Sequence, residues 1–262
     1  RTYGVDDIPI ALTSRRYTAY NAFVSEKSSY GDEMLVNGTP KPEVSLPKQL
    51  VRIRILNAEM ERSYNLGFSD GRTYYIIAND GGLLNAPVAA TKTLLAVGER
   101  IEILVDLSND AVGATLDLNA YNGGFSLGFP GGEPGKTGEF GSLLNNTTFN
   151  VLHIKIASTT SNPIKTVPTS LVNNKYWTES DATFSRTIKV TNGNPGGAPF
   201  DLDNAPFSFT KINHTVPLNN IEKWTITNNG VFGHTFHIHD VEFNLVSWSN
   251  CPLCTRDRGW ND

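Results

Sequence analysis

The segment Leu50-Val51-Arg52-Ile53-Arg54-Ile55-Leu56 alternates apolar and charged side chains. Successive side chains of a β-strand point to opposite faces of its sheet. Val51, Ile53 and Ile55 are therefore predicted to face a hydrophobic core, and Arg52 and Arg54 to face away from it. This pattern is typical of a sheet that has one buried face.

Short apolar segments that favour strands recur along the chain, whereas helical periodicity is scarce. Turn pairs such as Asn37-Gly38 and Asp70-Gly71 separate them. The other predicted strands are Ile8–Leu12, Tyr64–Phe68, Thr73–Ala78, Ile101–Leu107, Thr115–Ala120, Asn150–Ile156, Phe184–Val190, Lys223–Thr227 and Phe243–Trp248. Many short strands with frequent turns predict an all-β protein, and we expect residues 1–156 to form a closed antiparallel β-sandwich of Greek-key type.

Two stretches interrupt the strand pattern. Residues 121–142 are rich in glycine and predict a long, flexible surface loop. Residues 157–182 include Pro163 and Pro168 and predict an interdomain linker. The linker is predicted to separate two domains, residues 1–156 and residues 183–262. The second holds about 80 residues, against roughly 100 for a complete sandwich, so we expect it to be incomplete.

The composition excludes some classes of function. Charged residues make up 18% of the chain and the formal net charge is −4, with no basic cluster, so a nucleic-acid partner is not expected. No apolar run approaches the roughly 20 residues that a membrane-spanning helix needs. The chain also opens without a signal-peptide pattern, and a leader, if there is one, is expected upstream.

Histidine placement carries most of the chemical information. Three of the five histidines lie in His234-Thr235-Phe236-His237-Ile238-His239. If this segment is a strand, His237 and His239 project from the same face, whereas His234 lies at its start and can turn to a different site. Imidazole is the commonest neutral ligand for copper and zinc, so the cluster predicts a metal site. A closed structural zinc site usually combines Cys and His, which makes zinc the weaker alternative.

The other histidines and the cysteines favour structural roles. His153 is predicted to lie on the polar face of the last strand of the first domain, and His214 to be solvated in a turn. Cys251 and Cys254 lie in a loop-like Cys-Pro-Leu-Cys segment. That context favours a structural disulfide over a redox or metal-binding pair.

The histidine segment resembles the His-Pro-Phe-His-Ile-His motif of three-domain multicopper oxidases such as bilirubin oxidase, spore-coat laccase and cuprous oxidase. Thr235 replaces the usual proline without removing a ligand. The resemblance extends over nearly the whole chain. It includes Asp6-Asp7-Ile8-Pro9-Ile10, Leu35-Val36-Asn37-Gly38, Val51-Arg52-Ile53-Arg54-Ile55-Leu56-Asn57-Ala58, Ala78-Asn79-Asp80-Gly81-Gly82-Leu83-Leu84, Gly98-Glu99-Arg100-Ile101-Glu102-Ile103-Leu104-Val105, Glu222-Lys223-Trp224 and Arg258-Gly259-Trp260-Asn261-Asp262.

The resemblance implies cupredoxin-like Greek-key β-sandwiches, one complete and one truncated. Residues 1–156 would be the copper-free middle domain, residues 157–182 a linker, and residues 183–262 the N-terminal part of the copper-binding third domain. His234 would bind the type 1 copper, His237 the type 2 copper and His239 one of the paired type 3 coppers. Residues 1–152 contain neither His nor Cys, which agrees with a copper-free domain.

The function that this resemblance implies is a laccase-type oxidoreductase. It would couple one-electron oxidation of a small-molecule donor, an organic phenol-like compound or a metal ion, to the four-electron reduction of O2 to water. With only Met34 and Met60 in the chain, an organic donor is favoured over cuprous ion. The resemblance also implies an extracytoplasmic location, periplasmic or secreted.

This chain alone cannot complete a copper site, so it is expected to be inactive by itself. Its expected partners are the missing domains of the same parent or a second copy of the chain. The alternatives are a non-catalytic cupredoxin-like scaffold or interaction module and, less favoured, a zinc hydrolase.

Overall fold

The computed structural model describes residues 1–24, 30–138, 140–193, 200–249 and 260–261. Residues 1–174 together with 235–262 form one compact unit, and residues 175–234 form a second. Each unit is described by itself. Among the described residues, no helix has the length and apolarity that a membrane crossing requires.

The first unit contains twelve consecutive strands and one short 3-10 turn, Asn122–Gly124. The strands are β1 (Asp7–Arg15), β2 (Glu33–Val36), β3 (Thr39–Pro40), β4 (Glu43–Pro47), β5 (Leu50–Asn57), β6 (Tyr64–Phe68), β7 (Tyr74–Asn79), β8 (Gly82–Ala90), β9 (Thr93–Leu95), β10 (Arg100–Asp106), β11 (Thr115–Tyr121) and β12 (Thr148–Ala157). One sheet has the order β3-β2-β1-β5-β10-β7-β8, and the other has the order β4-β12-β11-β6-β9. Their apolar faces share one core, which confirms the predicted β-sandwich.

The alternation on β5 sets the two sides of the larger sheet. Val51 and Ile53 are fully buried and Ile55 is nearly so. The arginines between them lie on the outer face, where Arg52 pairs with Glu102 at 2.6 Å and Arg54 pairs with Asp7 at 2.9 Å. The predicted division of this strand into core and outer residues is confirmed.

The expectation of a wholly antiparallel sandwich is wrong at two strand pairs. β1 lies parallel to β5, and β4 lies parallel to β12. In each case other strands lie between the two along the chain, so the pair is not closed by a hairpin, which would require antiparallel strands. Alternation within a strand specifies the buried face but carries no information about the direction of the neighbour.

The glycine-rich stretch, predicted as a surface loop, contains no strand beyond Tyr121 among its described residues, but part of it is buried. Asn122 and Ser142 are completely buried, and Phe125 and Glu133 are nearly so. Asn145, just beyond the stretch, is also completely buried. The stretch is held by polar partners elsewhere in the sandwich, which local composition does not show.

The first part of the predicted linker is bound along the first unit. The amide of Leu50 donates to the carbonyl of Ile164 at 3.1 Å, and the amide of Leu171 donates to that of Asn85 at 2.9 Å. Val167 and Leu171 also pack against buried core residues. Residues 157–174 therefore belong structurally to the sandwich that they follow.

The second unit is built on a three-stranded sheet. Its strands are β13 (Phe184–Asn192), β14 (Phe200–Leu202) and β15 (Glu222–Asn228), and a 3-10 turn, Glu179–Asp181, precedes them. The order is β14-β13-β15, with β13 and β15 parallel. In the first unit, β16 (Phe243–Asn244) pairs antiparallel with β17 (Trp260–Asn261), so the predicted strand Phe243–Trp248 is much shorter than expected.

Candidate metal centre

The histidine segment is irregular rather than a strand. Residues 233–238 have no regular secondary structure, and His239 begins a turn that includes Asp240 at φ 67°. A strand requires a hydrogen-bonded neighbour, and no strand in the described ranges pairs with residues 234–239. The expectation that a β-strand presents these histidines is therefore wrong.

His237 and His239 are nevertheless brought together. Their ring centroids lie 4.7 Å apart, and the ring planes make an angle of 75°. Phe236, which precedes His237, packs edge to face against Phe243 of β16, with the ring centroids 5.8 Å apart. Spacing by two residues thus juxtaposes the imidazoles even without a sheet.

His234 lies in the second unit and contacts Phe200 of β14, with ring centroids 4.5 Å apart. Phe232 packs on the same phenyl ring at 6.0 Å. Partial burial lowers the pKa of His234, because desolvation disfavours the imidazolium ion. The neutral imidazole that burial favours is the form that binds metal. Sequence reasoning missed Phe200, which lies far from His234 along the chain.

The described residues fit part of a copper ligand set rather than a whole one. Among them, no group of three or more His, Cys, Asp or Glu side chains is arranged to hold a metal ion. The adjacent imidazoles of His237 and His239 suit copper, whereas a type 1 site also needs a thiolate. Cys251 and Cys254 lie outside the described residues, as does the disulfide predicted for them.

His153 lies on β12, and its Nδ1 is 2.7 Å from an Asp117 carboxylate oxygen on β11. This cross-strand pair agrees with the structural role that was predicted. His214 is not simply solvated, so that expectation is wrong. Its Nε2 lies 3.3 Å from the carboxylate of Asp203, and its Nδ1 lies 3.2 Å from the guanidinium of Arg186.

The cupredoxin-like sandwich and the histidine segment together resemble the arrangement of the copper oxidases. Residues 169–260 match the family model described as Multicopper oxidase. Over these residues the chain is similar to the multicopper oxidases.

The similar proteins include both oxidases and cell-division proteins. The chain is 34% identical over 268 residues to "Cell division protein FtsP" of Proteus mirabilis, covering 99% of this chain and 52% of the relative. The protein of the same name in Photorhabdus laumondii is 29% identical, with the same coverage. The chain thus spans about half the length of the curated relatives it matches.

Solved multicopper oxidases share the fold over the whole chain. The McoA multicopper oxidase of Aquifex aeolicus is 25% identical with a TM-score of 0.81, covering 100% of this chain and 57% of that one. A multi-copper oxidase of Pediococcus acidilactici is 25% identical with a TM-score of 0.76, covering 100% of this chain and 51% of that one.

Proposed function

We propose that this chain supplies part of the copper centres of a laccase-type multicopper oxidase. The parent protein couples one-electron oxidation of an organic, phenol-like donor to the four-electron reduction of O2 to water. The observation that carries the proposal is the pair of imidazoles of His237 and His239, 4.7 Å apart and five residues or fewer from His234.

Each histidine has a distinct role in this proposal. His234 is a ligand of the type 1 copper, His237 of the type 2 copper and His239 of one of the paired type 3 coppers. Copper, when bound, supplies the one-electron redox chemistry that no side chain of this chain provides. The short segment between His234 and His237 gives a covalent route from the donor-facing centre to the oxygen-reducing centre.

The surroundings of His234 support the role of a ligand. Phe200 contacts the imidazole on one side, edge to face, while His234 as a whole stays exposed. Desolvation lowers the pKa of His234, which favours the neutral imidazole that binds metal. The sandwich of residues 1–156 serves as the copper-free middle domain, and residues 183–262 belong to the third domain.

The methionine content favours an organic donor. Met34 is buried in the core of the sandwich, and Met60 is an isolated exposed residue. Soft thioether ligands select cuprous ion, and two methionines in such different surroundings do not form a thioether site. The other partners in the proposal are O2 and the remaining domains of the parent or a second copy of the chain, in an extracytoplasmic location.

The test uses the full-length protein reconstituted with copper. His234→Ala is expected to remove the intense blue charge-transfer band of the type 1 centre. His237→Ala and His239→Ala are expected to keep that band and to abolish O2 uptake. His153→Ala, which removes only the pair with Asp117, is the control and should keep both. An unchanged blue band in His234→Ala, or normal O2 uptake in both other variants, would contradict the assignment.

A non-catalytic role is the second candidate, because the cell-division relative from Proteus mirabilis matches 99% of this chain. In that case the full-length protein binds no stoichiometric copper and consumes no O2 with a phenolic donor. Metal analysis after reconstitution separates the two candidates. Stoichiometric zinc without a blue band would instead support the less favoured hydrolase.

A further inference from the structure

A pocket of about 640 Å³ opens on the first unit, at the edge where its two sheets are joined. The pocket lies beside the end of β1, the start of β2, the β3–β4 turn and the start of β12. Its volume falls within the range of roughly 300–1,000 Å³ that is usual for small-molecule sites. None of the histidines of the candidate metal centre lines it.

One wall of the pocket is held in place by two side chains. Asp32 accepts a hydrogen bond from the amide of Leu143 at 2.8 Å and pairs with Arg16 at 2.6 Å. Arg16 also donates to the carbonyl of Gly141 at 2.6 Å. These contacts fix Leu143 and Leu144 opposite the end of β1, so the cavity exists without a ligand.

Some of the charged side chains that line the pocket form ion pairs, and others do not. Asp32 and Arg16 neutralise each other, whereas Arg15 lies opposite Glu33 in the β1–β2 register and donates to the carbonyl of Ser14 at 2.7 Å. Lys41 lies on the rim at a turn residue with φ 48°, and it makes no ion pair with any side chain that the structure describes. Lys41 is therefore a cation on the rim that a ligand can engage without breaking an ion pair.

Apart from Asn150 and His153, the remaining lining is apolar or aromatic. Tyr17, Met34, Pro42, Leu143 and Leu144 face the cavity. Leu143 is 62% exposed, so an apolar group that covers it removes apolar surface from water. A cation on the rim of an apolar cavity suits a ligand with an apolar body and one acidic group.

We propose that this pocket binds a small aromatic carboxylate. The ring lies against Leu143, Leu144 and Pro42, and the carboxylate accepts hydrogen bonds from the Lys41 ammonium group. The site is separate from the copper chemistry and does not depend on it.

Calorimetric titration of the full-length protein with benzoate is the test, and benzamide serves as the neutral ligand of the same shape. Benzoate is expected to bind saturably at one site, with benzamide at least about tenfold weaker, because a charge-assisted hydrogen bond is lost. Lys41→Gln should weaken benzoate about tenfold and leave benzamide unchanged, and Lys41→Arg should retain benzoate binding. Leu143→Ser should weaken both ligands, each by roughly threefold or more.

Lys41 and Leu143 are both exposed, so these variants should fold normally. Lys165→Gln, which removes an exposed lysine away from the pocket lining, is the matched control and should change neither affinity. Equal affinity for benzoate and benzamide, benzoate binding that survives Lys41→Gln, or no saturable binding at all would each overturn the proposal.

Discussion

Arg62 shows how one residue organises a large part of the sandwich. Its side chain is completely buried and donates to the Asn145 amide oxygen at 2.8 Å, the Ser142 hydroxyl at 2.9 Å and the Gly31 carbonyl at 3.0 Å. Buried Glu59 lies 4.0 Å away. Arg62 therefore ties the glycine-rich stretch to the turn before β2.

Arg62→Met is expected to destabilise the protein by about 3–5 kcal/mol, because it leaves the Glu59 carboxylate and several polar groups buried without their partner. Urea unfolding measures the effect. Arg54→Met is the control, since Arg54 forms a partly exposed pair with Asp7 that is worth no more than about 1 kcal/mol. An equal loss of unfolding free energy in Arg62→Met and Arg54→Met would contradict this prediction.

Glu59 gives the protein a predictable dependence on pH. Burial raises the pKa of Glu59 above its ordinary value of 4.5, and this outweighs the opposing attraction of Arg62. The folded state therefore binds the proton more tightly than the unfolded state. The contribution of Glu59 to the free energy of unfolding is therefore full at low pH. It is lost as the pH rises from about 4.5 through the raised pKa.

Glu59→Gln is expected to remove this loss of stability, which unfolding measurements at a series of pH values from acid to neutral can detect. Gln keeps an oxygen that accepts the hydrogen bond of Tyr64. Glu43→Gln provides a control of opposite sign, because a hydrogen bond from Lys155 lowers the pKa of the exposed Glu43. A Glu59→Gln protein with an unchanged pH profile would refute the assignment.

At the scale of elements, the contact between β1 and the turn before β2 leaves no room for a side chain. A Cβ on Gly31 would lie 2.2 Å from the backbone nitrogen of Arg15 and 2.3 Å from the carbonyl carbon of Ser14. The β1–β2 pairing begins at Arg15 and Glu33, directly beside this contact. Backbone atoms cannot move away from such a Cβ unless one strand shifts.

Gly31→Ala is expected to cost about 2–3 kcal/mol, because overpacking forces the strand apart. Gly124→Ala is the matched control, since a Cβ there meets nothing within 4 Å. Thermal unfolding of the two variants should differ clearly, and a Gly31→Ala protein as stable as the control would show that the strands separate at little cost.

At the scale of the whole molecule, residues 157–174 extend the first unit beyond its last strand. Besides the contacts of Ile164 and Leu171, the amide of Asn174 donates to the side-chain oxygen of Asn85 at 2.7 Å. The predicted boundary of the first domain lies after residue 156. These contacts predict that a chain cut there loses stability.

A fragment of residues 1–174 is expected to be more stable than one of residues 1–156 by about 2–4 kcal/mol, from the hydrogen bonds and the burial of Val167 and Leu171. Urea midpoints of the two fragments measure the difference. A third fragment, residues 1–174 with Leu171→Ser, should fall between them. Equal midpoints for the two original fragments would show that the linker adds nothing.

Much of the architecture could be predicted from local pattern. The strands Leu50–Asn57 and Tyr64–Phe68 lie where alternation and turn residues placed them. Short strands such as Thr39–Pro40 and Thr93–Leu95 were missed because two or three residues hold too little periodicity. The histidine segment was recognised from residue types and spacing, but its irregular backbone was not, since strand pairing depends on a distant neighbour.

The sequence by itself determined the all-β class, the buried face of β5 and the juxtaposition of His237 and His239, because each follows from spacing within a few residues. Only the tertiary structure decided the parallel pairing of β1 with β5, the burial of Arg62 beneath the glycine-rich stretch and the placement of Lys41 on the rim of a pocket. These features depend on contacts between residues far apart in the chain. Their free energy comes from packing and desolvation, which local sequence patterns do not specify.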